Sequence, residues 1–152
     1  MNSIQIRSAT LEDLPTLLRF EQGIISAERP FDPTLVPGEF HYYDLAARIR
    51  DPDAEVVVAE DNGRVVAGGS AIIKEGKNYN TFPSYSFLGF MFVEPDYRGK
   101  GLNRLIIERL VEWSHLKGLK EIRLHVYSDN LNAIHAYEKV GFKKILTEMR
   151  MG

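Results

Sequence analysis

The chain contains no cysteine in 152 residues, which excludes disulfides, a thiolate nucleophile and metal sites of the cysteine type. No apolar run approaches the roughly 20 residues that a membrane-spanning helix needs. No basic, apolar and small-residue signal follows Met1, so a cytoplasmic location is expected. Neither sign of charge dominates. The 19 basic and 21 acidic residues leave a net charge of −2, which gives no electrostatic reason to expect nucleic acid. His41, His115, His125 and His135 lack metal-ligand spacing, so no metal is expected. No Gly-x-Ser-x-Gly segment offers the nucleophile elbow of a hydrolase. What is there, 44% apolar and 26% charged residues, suits a globular fold, and the length suits one domain over residues 1–152.

Read in order, Ile4–Arg7 alternates as a short strand, and Thr10 with Asp13 forms a capping-box start for a helix. Leu11, Leu14, Leu17, Leu18 and Ile25 give that helix its apolar face, and Gly23 weakens its end. A proline-stiffened loop follows, then a short helix from His41 to Ile49. Glu55–Glu60 and Arg64–Ile73 read as strands joined by a tight turn at Asp61-Asn62-Gly63. The apolar run Phe87–Val93 predicts a central strand. Leu102, Leu105, Ile106, Leu110, Trp113 and Leu116 predict a long amphipathic helix that ends at Gly118. Glu121–Tyr127 is a fifth strand, Asn130–Val140 a helix, and Phe142–Met151 a last strand. A helical crossover makes the strands at Val93 and Glu121 parallel. The fold class is therefore α/β (α+β), with a mixed, mostly antiparallel sheet and helices on both faces.

The chemistry concentrates between strand and helix, at Arg98-Gly99-Lys100-Gly101-Leu102-Asn103. A helix start carries free N–H groups and partial positive charge, and glycines let a ligand approach the backbone. With Arg98 and Lys100 beside it, the turn can hold a diphosphate. It is not a P-loop, because Lys100 precedes glycine rather than Ser or Thr. Its glycine spacing is not that of a dinucleotide fingerprint either.

Val93-x-Pro95-x-Tyr97-Arg98-Gly99-Lys100-Gly101-Leu102 does resemble the pyrophosphate loop of the GNAT superfamily, the acyl-CoA-dependent N-acyltransferases. Arg98, Gly101 and Asn103 occupy the positions of the family pattern Gln/Arg-x-x-Gly-x-Gly/Ala, and Asn103 departs from its usual small residue. Asn130-x-x-Ala133-x-x-x-Tyr137-x-x-x-Gly141-Phe142 is similar to the second half of the family signature. These two motifs stand in the family's order and spacing, and the resemblance covers nearly the whole chain.

The resemblance implies acetyl-CoA as acyl donor and a primary amine as acceptor, on a small molecule, peptide or protein. It also implies that the central strand splays from the next one, so that pantetheine pairs with backbone groups of Met91, Phe92 and Val93. Gly89 is the expected position of the bulge that opens this gap. Asn130 would contact the pantetheine amides, and Tyr137 would protonate the departing thiolate as general acid. Without cysteine, direct attack by the amine in a ternary complex is the expected route. Many family members place a glutamate base early in the central strand, but Ser84, Tyr85, Ser86 and Phe87 stand there. Tyr85 leads as the candidate base, with Glu21, Glu28 and His41 acting through water as alternatives. Glu94 is expected to face solvent.

Acids outnumber bases between Glu21 and Glu55, which would suit a cationic amine if they lined the acceptor slot, although a solvated face is the simpler reading. A non-catalytic acyl-CoA-binding regulatory module is the competing function. The short segment after Gly141 would leave a strand edge bare, and a homodimer covering it near Ile145–Met151 is expected.

Overall fold

The computed structural model describes residues 3–152. Five strands and four α-helices follow one another along the described chain. The strands are β1 (Ile4–Ser8), β2 (Ala54–Asp61), β3 (Arg64–Glu75), β4 (Ser84–Val93) and β5 (Ile122–Leu124). The helices are α1 (Leu14–Glu28), α2 (Leu45–Arg50), α3 (Leu102–Leu116) and α4 (Leu131–Lys139). The strands form one open sheet in chain order, antiparallel throughout except for the parallel pair β4–β5. The mixed sheet with a helical crossover is the architecture the sequence predicts.

Local chemistry accounts for the joints. Asn62 and Gly63 both take left-handed φ angles (49° and 87°) between the paired residues Asp61 and Arg64, which is the two-residue turn that matches strand twist. The Asp13 carboxylate accepts the Thr10 N–H at 2.8 Å and is held from the other side by Arg7 at 2.8 Å. Pro15 falls in the first turn of α1, where no intrahelical N–H is lost.

Strand β2 is apolar on both faces because it lies between two core layers. Val57 and Ala59 meet Leu88 of β4 and Leu102, Ile106, Ile107 and Leu110 of α3. Val56 and Val58 meet Leu17 and Phe20 of α1, Leu45 of α2 and Phe90 of β4. Each large side chain so buried contributes about 1.5–3 kcal/mol. Ser114 of α3 donates to Ser86 of β4 at 2.7 Å inside the first layer, which ties the long helix to the central strand.

Several sequence expectations need correction. Ile107 joins the buried stripe of α3, whereas Leu105 and Leu116, expected on it, are 38% and 81% exposed. α1 continues through Gly23 to Glu28, since the missing Cβ makes room for the ring of Phe92. α2 begins at Leu45, where Asp44 caps it through the Ala47 N–H, rather than at His41. Glu94 does not face solvent: it is 8% exposed and ion-paired with Arg19 and Arg64. β5 keeps only three of its seven expected residues. The segment expected as a last strand, Phe142–Met151, forms none, and Ile145, Leu146, Met149 and Met151 are 68–100% exposed. The segment follows α4 without pairing to β5, which remains an open edge of the described sheet. No helix among the described residues is long and apolar enough to cross a membrane.

Candidate active site

The parallel pairing of β4 with β5 stops at Leu88↔Leu124, although β4 continues to Val93. Beyond Leu88, the β5-facing backbone groups of β4 have no strand partner. On its other side β4 carries an extra residue: Ser70 pairs with Gly89 and Gly68 with Phe92, so Phe90 and Met91 together oppose Gly69. Phe90 has a φ of 54°, a conformation that costs a bulky residue about 1–3 kcal/mol. The bulge therefore lies at Phe90, one residue past the expected Gly89. Tertiary contacts hold it there. The Phe90 ring is buried in the α1/α2 layer, and its N–H donates to the Tyr43 hydroxyl at 3.3 Å.

The glycine turn leads from this bulge into α3. Gly101 caps the helix with a φ of 82°, no side chain caps it, and Leu105 supplies the first intrahelical bond, to the Gly101 carbonyl. Gly99 has a φ of 77°, and a Cβ at either glycine would meet nothing within 4 Å. The free N–H groups of Leu102, Asn103 and Arg104 thus open toward space where an anion fits. Leu102 itself is buried, so only its backbone is available. Arg98 folds back: its Nε donates to the Val93 carbonyl at 2.9 Å and its guanidinium lies over Phe92, fixing the turn to β4. Lys100 is exposed and lies over the ring of Tyr97. Met91, Phe92 and Val93 are half-buried along the released stretch of β4.

Across the gap, Asn130 caps α4 by accepting the Ala133 N–H at 3.3 Å. Tyr137, seven residues on, packs against the α3-side core with its ring 6.0 Å from Phe142. Burial, and then the charge of Glu28, pushes its hydroxyl up to about 12. A phenol held that high stays protonated at any ordinary pH, so it can donate and not act as a base.

The four candidate bases separate cleanly. Tyr85 sits at the start of β4, opposite Lys74 and against Phe82 and Arg123, remote from the bulge by the register of the strand. Glu21 is fully buried, but both its oxygens are engaged, one by the Tyr42 and Tyr43 N–H groups and one by His41 Nδ1 at 2.6 Å. His41 is exposed, and its hydrogen bond to Glu21 raises its pKa. Glu28, at the end of α1, is half-buried, and desolvation lifts its carboxyl above the usual range.

The charge of Glu28 reaches four tyrosines, Tyr42, Tyr43, Tyr127 and Tyr137, and in each it helps hold the phenol protonated. Among the described residues, Tyr42's buried hydroxyl is in hydrogen-bond geometry with none, yet it is close enough to Glu28 to temper its rise. Tyr127 donates to Asp32 at 2.6 Å. Sequence reasoning missed Tyr42, Tyr43 and Tyr127. The Tyr42-Tyr43 doublet in the loop before α2 was a signal for the first two, and none marked Tyr127.

The acyltransferase signature of the Acetyltransferase (GNAT) family matches residues 21–142, a span that includes the bulge, the glycine turn and α4. The chain belongs to that family. Its fold is shared with a mutant BH1408 protein from Bacillus halodurans, at a TM-score of 0.86 and 19% identity over 97% of this chain and 98% of that one. It is shared too with a predicted acetyltransferase with acetyl-CoA from Clostridium acetobutylicum, at a TM-score of 0.72 and 17% identity over 98% and 96% of the two chains. Among curated relatives, the thialysine N-epsilon-acetyltransferase of Sus scrofa is 26% identical over 150 residues, covering 95% of this chain and 87% of that protein. The chain spans less than two thirds of the length of the first curated relatives it matches.

Proposed function

We propose that this GNAT protein transfers an acyl group, in the first instance acetyl, from acyl-CoA to a primary amine by direct attack in a ternary complex. The observation that carries the reading is the release of β4 from β5 past Leu88, directly beside a glycine turn that opens helix α3. A thioester donor with a diphosphate at one end and amide groups along its arm matches both features. Backbone N–H groups from Gly99 to Asn103, with Lys100 and Arg98, would take the diphosphate. The released stretch of Met91, Phe92 and Val93, where the Val93 carbonyl already accepts from Arg98, and the side-chain amide of Asn130 would take the arm, as an added strand pairs with a sheet edge.

The amine nitrogen forms its bond to the thioester carbon as the C–S bond breaks. Tyr137 gives its proton to the leaving thiolate. Glu28 replaces Tyr85 as our choice of base: through water, it receives the proton the amine must lose. Its raised pKa brings its basicity nearer to that task. A non-catalytic acyl-CoA-binding module would need neither a protonated phenol at the gap nor a half-buried carboxylate behind it. The setting proposed is the cytoplasm, on the sequence grounds given above.

Assembly follows from the sheet's open edge. The segment after Gly141 is a strand-patterned tail with exposed apolar side chains, and β5 is an edge without a neighbour. A two-fold axis would supply each copy's edge with the other's tail, and we propose this homodimer.

The donor site is tested with Gly101→Asp, which puts bulk and negative charge where the diphosphate would lie. Titration calorimetry with acetyl-CoA should show binding to the parent and at least a tenfold loss in the folded variant. Equal affinity would remove the turn from the donor site.

A further inference from the structure

We propose, resting on the N-acyltransfer reading above, that the acceptor carries an anionic group, carboxylate or phosphate, which Arg48 holds beside the bulge. Arg48 lies in the last turn of α2, with its guanidinium 4.5 Å over the ring of Tyr43. Its Nη1 donates to Ser70 Oγ at 3.0 Å, and Ser70 donates in turn to the carbonyl of Gly89 at 3.3 Å. Arg48 is thus two hydrogen bonds from the residue that precedes the bulge. Tyr43, the ring it stacks on, binds the bulge itself.

Arg7, Arg19, Arg64, Arg104 and Arg123 each pair with a carboxylate, whereas among the described residues Arg29, Arg48, Arg50, Arg98, Arg109 and Arg150 do not. Arg29, Arg98 and Arg109 donate to backbone carbonyls instead, while Arg48, among the described residues, donates only to a hydroxyl. It is half-buried, and desolvation lowers its pKa. The carboxylate whose charge reaches it, Glu21, already has both oxygens engaged by the 41–43 loop. A guanidinium has five N–H donors, and Ser70 takes one. A carboxylate or phosphate with two oxygens laid along its free edge would supply the missing partner.

The surrounding face has the same sign. In register with Ser70↔Gly89 run Ile72↔Phe87 and Lys74↔Tyr85 on one side of β4, and Phe87↔Arg123 on the other. Lys74 Nζ sits 4.0 Å over the Phe87 ring, and the His125 ring lies 4.7 Å from it. Arg123 is balanced by Glu121, and Glu28 is the acid reserved above for the amine proton. Of the acids in the Glu21–Glu55 segment, Glu21 and Glu28 are within electrostatic reach of Arg48 or Tyr43, and three others are engaged locally. Asp44 caps α2, Asp51 accepts the Asp53 N–H, and Glu55 accepts the Ser8 hydroxyl. The acceptor class that fits is an amine with its anionic group a few bonds from the nitrogen, such as an α-amino acid or a phosphorylated small amine.

The test measures thiol release from acetyl-CoA with two matched pairs, L-phenylalanine against L-phenylalaninamide and O-phosphoethanolamine against ethanolamine. The parent should favour the anionic member of at least one pair in kcat/KM by roughly 10–100-fold, and the pair that responds identifies carboxylate or phosphate. In Arg48→Met that ratio should fall to about one, with Arg48→Lys, which keeps charge without the fork, in between. A parent that prefers the neutral member of both pairs, or a ratio that survives in Arg48→Met, overturns the proposal. If no amine turns over, calorimetric titration of the same four amines into the CoA-loaded protein decides. Arg48-dependent binding of an anionic amine upholds the anion site while ending the acyl-transfer reading. No such binding ends the anion site.

Discussion

Gly69 is the residue on which the released strand depends, and Gly69→Ala tests that dependence through the sign of its effect. Gly69 stands in β3 opposite the two-residue bulge, in ordinary extended backbone that alanine tolerates. By propensity alone the substitution should stabilise by about 0.5–1 kcal/mol, because glycine loses the most freedom on folding. The space contradicts this. A Cβ at Gly69 would lie 2.6 Å from Ile106 Cγ2 on α3 and 2.7 Å from Met91 Sδ on β4. Ile106 is 1% exposed and fixed in the core, so the helix or Met91 must move. Overpacking of this kind costs about 1–3 kcal/mol. The net expectation is destabilisation by about 1 kcal/mol, or a fall in Tm of about 2–4 °C for a chain of this size. Urea unfolding followed by circular dichroism would measure it. A double-mutant cycle with Met91→Ala should recover at least about 0.5 kcal/mol of coupling. Acetyl-CoA affinity should fall as well, since Met91 and the start of α3 both belong to the proposed donor site. A variant more stable than the parent by about 0.5–1 kcal/mol would show that the bulge does not need this glycine.

Tyr137→Phe keeps the ring against Phe142 and removes the hydroxyl that would donate the proton, so it should bind acetyl-CoA normally and turn over roughly 10²–10⁴-fold more slowly. A thioester with a more acidic thiol should recover part of that loss, and an unchanged rate with chemistry limiting would leave Tyr137 as packing. Glu28 acts deprotonated, and burial raises its pKa, so kcat/KM of the parent should fall as pH drops through an inflection above the ordinary value of about 4.3. Glu28→Gln should be slow and should lack that inflection, and finding the same acid limb in both proteins would return the base to another group. Light scattering should give a dimer mass for the parent and a monomer mass for a variant with Ile145 and Met149 both changed to lysine. A monomeric parent at high concentration would refute the exchange of tails.

What was legible in the sequence is what local chemistry decides. Asn62-Gly63 demands left-handed backbone and so predicts its own hairpin, and Gly101 and Gly118 mark both ends of α3 without help from the rest of the chain. The glycine turn could be located for the same reason. The bulge could not. Local propensity argues against Phe90 in left-handed backbone and points to Gly89 instead. The position is set by a ring buried under α1 and a tyrosine hydroxyl 47 residues away in sequence. The base we propose shows a similar gap. Tyr85 follows from counting along one strand, whereas Glu28, an alternative in the sequence reading, stands at the end of α1 and acts on tyrosines of a loop, of α4 and beyond β5. Composition alone could not place the acids of the Glu21–Glu55 segment either, because a carboxylate's effect on a site depends on which N–H groups it already serves. Asp44, Asp51 and Glu55 are engaged locally, and the proposed acceptor face holds Arg48 and Lys74. The motif residues of this protein belong to the proposed donor side, where local sequence sets the turn and the helix start. The proposed acceptor side draws on residues far apart in the chain, and only packing brings them together.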